Sequence, residues 1–310
     1  MLIFNFNSLN ILMKIYVDFN ILTPNDLKGF TEILWVAPFM NEVAFNETIN
    51  SYGYWNHGLL NKLFFSGQTL FEKTEIENCD YVGVPFKFNP NDARLYSICE
   101  YAKKYNKKVI TFYNDDDERQ YNLPDNLILF RTSIGRSNIT QKEKIFPALI
   151  TDDCIFTEQC KDSIGFCGVY NSNRKEMLES IEKVYPVDKI IRSGFWSPEL
   201  PKFRGKREFI KNMTDNKYIF CMRGNGNFSY RFYETLCFGR VPVLIDTDTI
   251  LPLENIIDWD KHIIFINPEE IKNLPSIIKE RKFDLKSNRE LWEEYFSPHG
   301  FLKNIEKYLA

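Results

Sequence analysis

Apolar runs of strand length recur along this chain with helix-sized gaps between them, and that alternation predicts parallel sheets with crossover helices. In the first half the runs are Lys14 to Phe19, Glu32 to Phe39, Asp80 to Phe86, Lys108 to Tyr113 and Leu127 to Arg131. Gly58 to Phe65 reads as the start of a helix. Asn91 to Asn106 reads as a full one: Asn91 or Asp92 caps it, Leu95, Ile98, Cys99 and Ala102 make one stripe, and Lys103 and Lys104 suit its negative end. The pattern loosens from Thr151 to Asp162, as an interdomain linker would. A second series follows. Ser163 to Val169 is a strand with glycines near its end, Asn173 and Arg174 open a helix striped by Met177, Leu178, Ile181 and Val184, and Lys189 to Arg192 is the next strand. Strands at Tyr218 to Met222, Val241 to Ile245 and Ile263 to Ile266 come next, and helices from about Pro268 and Arg289 close the chain.

The densest stretch is Tyr218 to Asp246, which packs strand, polar glycine loop, helix and strand into 29 residues. Arg223 to Phe228 carries two glycines and two asparagines, residues that tolerate positive φ and let backbone N–H groups converge on an anion. Ser229 is a candidate N-cap and Gly239 stands where the helix would end. Arg223, Ser229, Arg231 and Glu234 then lie at the carboxyl end of a strand or on the first turns of the following helix, where open α/β sheets bind ligands. Two cations and a helix N-terminus suit a phosphate. Gly224, Gly226 and Ser229, with Asp246 about 20 residues on, also approach a dinucleotide fingerprint. The third glycine is absent, and a purely structural turn is a further reading.

At 310 residues, two domains are expected. The net charge of −3 gives no basic face for general nucleic-acid binding. Seven cysteines with no C-x-x-C pair read as a reducing, cytoplasmic compartment, and His57, His262 and His299 are too few for a histidine-based zinc site. Residues 1–12 are apolar but lack a basic start and a cleavage site, and no later run is long enough to span a bilayer; an extra leader, a first strand and a peripheral membrane contact are the readings open to them.

The acidic run Asn114, Asp115, Asp116, Asp117 follows a strand directly. It reads as a solvated loop, as an Asp-x-Asp pair holding a divalent cation, or as a general base facing a cleft.

Cys221-Met222-Arg223-Gly224, Ser229, Arg231, Glu234, Gly239, Val241-Pro242-Val243, Leu251-Pro252 and Asp258-Trp259 together resemble the C-terminal signature of exostosin-type (GT47) glycosyltransferases. Ser163 to Arg174, Asp80 to Pro85 and Phe112 to Asp115 resemble that family's earlier segments. Met222 stands where the family usually has proline, Asn114-Asp115 where a His-Asp pair is common, and at 310 residues no stalk or anchor is expected. The resemblance implies an α/β chain of the GT-B class, with two Rossmann-like domains facing a cleft. Residues 1–155 would bind the acceptor and 156–290 the nucleotide sugar; 291–310 would be a C-terminal helix placed to pack back on the first domain. It implies an inverting transferase that moves a sugar from a nucleotide sugar, UDP-linked, to a glycan or glycoconjugate, with no cofactor and no metal. Donor-binding residues are then Gly168, Arg174, Arg223, Gly224, Asn225, Gly226, Ser229, Arg231 and Glu234. The candidate bases are Asp115, Asp117 and His57. A non-catalytic nucleotide-binding module and an NAD-dependent oxidoreductase are the alternatives.

Overall fold

The computed structural model describes residues 13–29, 33–52, 56–194 and 201–310, and it divides into two compact units. The first holds the chain up to Tyr113 together with Tyr121–Phe130; the second holds Asn114–Gln120 and Arg131–Ala310. Both are parallel α/β assemblies, as the alternation of strands and helices predicts.

In the first unit β1 (Met13–Tyr16) is followed by α1 (Glu42–Tyr52), α2 (His57–Leu70), β2 (Phe71–Lys73), β3 (Tyr81–Gly83), α3 (Ala93–Lys103), β4 (Lys108–Tyr113) and β5 (Leu127–Arg131). The strands lie in the order β2-β1-β3-β4-β5, with Ile15 opposite Tyr81 and Val82 opposite Val109. The helix expected after Asn91 forms because Asp92 accepts the Arg94 N–H as N-cap, and Leu95, Cys99 and Ala102 recur on one face that enters the core with Val82, Val109 and Leu127. Its end is set by Asn106, which takes the left-handed conformation at φ 54°.

One expected strand is absent. Ile33 to Phe39 forms turns ending in a 3-10 turn at Ala37–Phe39, and every residue from Ile33 to Met40 is buried. A continuous apolar run signals burial without fixing the conformation, and Pro38 has no N–H to give a sheet.

The second unit begins its regular structure with β6 (Glu143–Ile145). It continues with β7 (Lys161–Val169), α4 (Ser172–Glu182), β8 (Val187–Arg192), α5 (Lys202–Asp215), β9 (Asn216–Cys221), α6 (Tyr230–Cys237), β10 (Val241–Ile245) and β11 (Ile264–Ile266). It ends in α7 (Leu274–Glu280), α8 (Leu285–Leu291), α9 (Pro298–Lys303) and α10 (Ile305–Leu309). Residues 151–160 form neither helix nor strand. The parallel sheet runs β8-β7-β9-β10-β11, with Gly165 opposite Ile219 and Val243 opposite Phe220. Strand order therefore reverses between β7 and β9: the chain leaves β7 toward β8 on one side and β9 toward β10 on the other. The carboxyl ends of those two strands, Val169 and Cys221, frame the crevice in which such sheets take ligands.

Two signature positions have structural jobs. Gly239 holds φ +63° just past α6, where a Cβ would lie 2.4 Å from the Phe156 ring. Trp259 donates from Nε1 to the Pro252 carbonyl at 3.0 Å and lies against Phe232 and Phe296, so the Leu-Pro and Asp-Trp motifs fasten the buried face of α6.

Candidate active site

Two guanidinium groups meet at the strand-order reversal. Arg174, the third residue of α4, donates to the carbonyls of Val169, Met222 and Arg223 at 3.5, 3.4 and 3.0 Å, so its fork bridges the ends of β7 and β9. Burial pushes its pKa below the ordinary arginine value, and the charge of Arg231 adds to the effect. Arg231, in the first turn of α6, donates to the Cys167 carbonyl at 2.5 Å and lies between the rings of Phe166 and Phe209, 5.1 and 5.2 Å from their centroids. Its carboxylate neighbour, Glu234, is 3.9 Å from Nε. Two like charges thus sit in a half-buried crevice, neither hydrogen-bonded to a carboxylate. Such an arrangement raises the free energy of the empty site and is lowered by an anion.

Glu234 completes this cluster. Although 29% of its side chain is exposed, burial dominates and raises its pKa above the usual carboxylate value; Arg231 opposes the rise and Asp153 adds to it. Gly168 lies beside the pair, where a Cβ would approach Arg231 Nη2 to 3.2 Å, and a Cβ at Gly224 would lie 3.8 Å from Arg174 Nη2. Ser229 occupies the N-cap position of α6, as expected, but its side chain does not cap the helix. It lines a depression with Arg223, Thr249 and Pro252, and neither arginine of the pair is in that lining.

The loop between β9 and α6 corrects one expectation. No residue from Arg223 to Phe228 has positive φ. The N–H groups of Gly224, Asn227 and Phe228 are already used, donating to Phe228 O, Ser133 Oγ and Gly226 O at 3.2, 2.7 and 2.9 Å. The glycines therefore do not form a backbone anion cradle. Gly226 is small because the loop lies on the acidic segment: a Cβ there would be 2.7 Å from both Asp116 Cα and Ser133 Oγ. Asn225 is exposed and gives its carbonyl to Arg223 at 2.7 Å.

Arg223 is also unlike the other two arginines, because Glu118 pairs with its guanidinium. In the same segment Asp117 is gripped by Arg119, whose Nε donates to its two oxygens at 3.0 and 2.9 Å. Half-buried Asp115 accepts the Asp117 N–H at 3.2 Å. His57 lies in the first unit, exposed on the first turn of α2. Among the described residues no group of three or more His, Cys, Asp or Glu is placed to share a metal ion, and no helix is long and apolar enough to cross a membrane.

The structure brings together Gly168, Arg174, Gly224, Arg231 and Glu234, and it ties Arg223 and Gly226 to the acidic segment. Glu118, whose partner is 105 positions away, and Phe209, which lies on α5, are site residues that no local motif marks. The apolar positions Phe209, Ile210 and Met213, one helical face amid basic residues, are the signal that would have found α5.

The chain matches the Exostosin GT47 domain over residues 61–281. It is 37% identical over 84 residues to Exostosin-1 of Drosophila melanogaster, a segment covering 25% of this chain and 11% of that protein. It is 31% identical over 70 residues to a probable glucuronosyltransferase of Oryza sativa subsp. japonica, covering 23% and 16%. These alignments thus span less than a fifth of either relative's length. Among solved structures, the apo form of the lipopolysaccharide outer core galactosyltransferase WaaB aligns with TM-score 0.47 at 12% identity over 96% of this chain and 99% of that one. An alpha1,3-fucosyltransferase aligns with TM-score 0.34 at 12% identity over 94% and 81%.

Proposed function

The chain belongs to the Exostosin GT47 domain family, and from that premise we propose that it is an inverting glycosyltransferase that takes a sugar from a UDP-linked donor and passes it to a glycan acceptor. The observation that carries the proposal is the pair Arg174 and Arg231, two half-buried cations held by carbonyl oxygens at the strand-order reversal. In the reaction the acceptor hydroxyl attacks the anomeric carbon, the bond to the diphosphate breaks, and the nucleotide leaves with the bonding pair. Both guanidinium groups stabilise the charge growing on the leaving diphosphate, which makes a divalent cation unnecessary for that task. Glu234 receives the ribose hydroxyls, Gly168 and Gly224 leave room for the diphosphate, and Ser229 adds a hydroxyl at the start of α6. Asp115 takes the acceptor proton as general base. Asp117, neutralised by Arg119, is a weaker candidate.

The oxidoreductase alternative fits less well. The glycine loop follows β9, the third strand of its sheet, whereas a dinucleotide fingerprint follows the first. Calorimetric titration with UDP, GDP, CMP and NADH tests the reading. UDP is expected to bind with and without EDTA, and at 100 times its dissociation constant to stabilise the protein by about 2.7 kcal/mol. Binding of NADH and not UDP would overturn the proposal. UDP binding with no turnover of any UDP-sugar would leave a nucleotide-binding module.

A further inference from the structure

The segment Asn114–Gln120 is fixed from two sides. On one side fully buried Arg131 donates to the Arg119 carbonyl at 3.0 Å and to the Asp117 carbonyl, while pairing with buried Glu143 at 2.7 Å; Thr132 Oγ1 donates to the Asp115 carbonyl at 3.2 Å. On the other side it meets the loop between β9 and α6. Asn114 Nδ2 donates to the Tyr230 hydroxyl at 3.4 Å, Gly226 lies on Asp116, and Arg223 pairs with Glu118. Arg223 commits Nη2 to Glu118 and to the Asn225 carbonyl, and its Nη1 lies 3.5 Å from the second Glu118 oxygen. Its charge is compensated by a close carboxylate, whereas Arg174 has carbonyl oxygens as partners and Arg231 only the looser pair with Glu234 at 3.9 Å.

We propose that the Arg223–Glu118 bridge is a positioning device: it sets the acidic segment that carries Asp115 against the loop at the donor site, and Arg223 is not a ligand of the diphosphate. The proposal depends on the donor reading above. Glu118 and Arg223 act through Asp115, so removing either displaces the base while leaving the nucleotide's own contacts in place.

The test measures UDP affinity by calorimetry and turnover of whichever UDP-sugar in a panel the wild type consumes fastest. Glu118→Gln and Arg223→Ala are each expected to lower kcat about tenfold, the loss of one partly exposed charge-assisted contact. The donor KM and UDP Kd should stay within about threefold, well short of the effect expected of a lost charge-assisted ligand contact. Arg223→Lys, which keeps the charge, recovers part of the rate, and the exchanged pair Glu118→Arg with Arg223→Glu recovers more than either half alone. Arg223→Ala weakening UDP as much as Arg174→Ala does would make Arg223 a phosphate ligand and overturn the proposal. Tighter UDP binding by Glu118→Gln would make Glu118 a competing anion, and unchanged kinetics would remove any role for the bridge. A wild type that binds no nucleotide defeats the donor reading itself, whereas a wild type that binds UDP with variants indistinguishable from it defeats the positioning role alone.

Discussion

The first five strands of one sheet and the five strands of the other run in the same order, and each sheet sends a helix with an arginine in its first turn from a strand at the order reversal, yet the two arginines have opposite surroundings. Arg94, after β3, reaches Asp26 with both terminal nitrogens at 2.8 and 3.0 Å and Asp92 with Nη2 at 2.6 Å, and its guanidinium lies 4.2 Å from the centroid of the Phe86 ring. The hydrogen bonds it donates to those two carboxylates raise its pKa. Arg174, after β7, has carbonyl oxygens alone as partners, and burial lowers its pKa. Even the helix caps differ: charged Asp92 begins α3 and neutral Asn171 begins α4. An arginine saturated by its own protein's carboxylates fastens a loop; one held in place by carbonyl oxygens keeps its charge for a ligand.

The same distinction, applied within the acidic segment, gives the largest expected effect. Arg119 holds Asp117 through both carboxylate oxygens, whereas half-buried Asp115 accepts the Asp117 N–H. Asp115→Asn should therefore lower sugar transfer by about 10² to 10⁴ with UDP affinity unchanged. Asp117→Asn should lose far less. Steady-state rates on both variants decide it, and the reverse ranking would move the base to Asp117.

Next in size is Arg174→Ala. Loss of a charge-assisted contact to the diphosphate should weaken UDP binding by about 10- to 100-fold. The free protein's Tm should not fall, because the like-charge repulsion from Arg231 is relieved. A lower Tm with unaltered affinity would make Arg174 a fastener like Arg94 and erase the contrast.

Arg94→Ala is the mirror test, with a cost of about 1–3 kcal/mol in urea unfolding because the pairs are only partly buried. UDP affinity should not change. The pH dependence has a defined sign. The Arg94 fork holds Asp92 below the ordinary 3.8; at Asp26 burial raises the pKa, but hydrogen bonds from Arg94 and Thr23 together outweigh it. Carboxylates lowered in this way add stability that is fully present above pH 3.8 and is lost as pH falls below it. The wild type should lose more stability in that acid window than Arg94→Ala does.

Periodicity and capping revealed those parts of the fold in which one local signal governs. Asp92 caps α3, Gly239 closes α6, and the strands from Lys108 and Val241 begin where their apolar runs do. The run ending at Phe39 misled because every position from Ile33 on is buried, and burial on every side erases the period that separates strand from helix. At the candidate site, Arg174 and Arg231 were legible because each lies in the first turn of a helix, and Glu234 because it stands one turn further along the same face as Arg231. What a sequence does not display is how closely an arginine finds a carboxylate: Glu118 reaches Arg223 across 105 positions, whereas Arg231 and Glu234, three apart, make only a loose ion pair at 3.9 Å. The glycine loop looked like an anion cradle because its composition permits one, but its N–H groups close the loop on itself and on Ser133.

Glu234 carries the smallest expected effect and the sharpest sign. Burial raises its pKa above the ordinary 4.5, so the folded protein holds the proton more tightly than the unfolded chain does. Its ionised form therefore costs stability. The cost is absent below pH 4.5, grows as pH rises toward the folded value, and is constant beyond it. Glu234→Gln removes that cost, and the free protein should melt higher than wild type at neutral pH, with the difference vanishing in acid. A nucleotide whose ribose hydroxyls donate to the carboxylate reverses the balance. Gln keeps one acceptor, so UDP affinity should fall only about fivefold, the difference of about 1 kcal/mol between a charged and a neutral acceptor. As pH falls through the raised pKa, wild-type affinity should converge on that of the variant; the diphosphate's own titration is common to both proteins and cancels in the ratio. A Tm gain with no change in affinity at any pH would make Glu234 a strained carboxylate on α6 with no ligand, and would leave the arginine pair as the whole of the donor site.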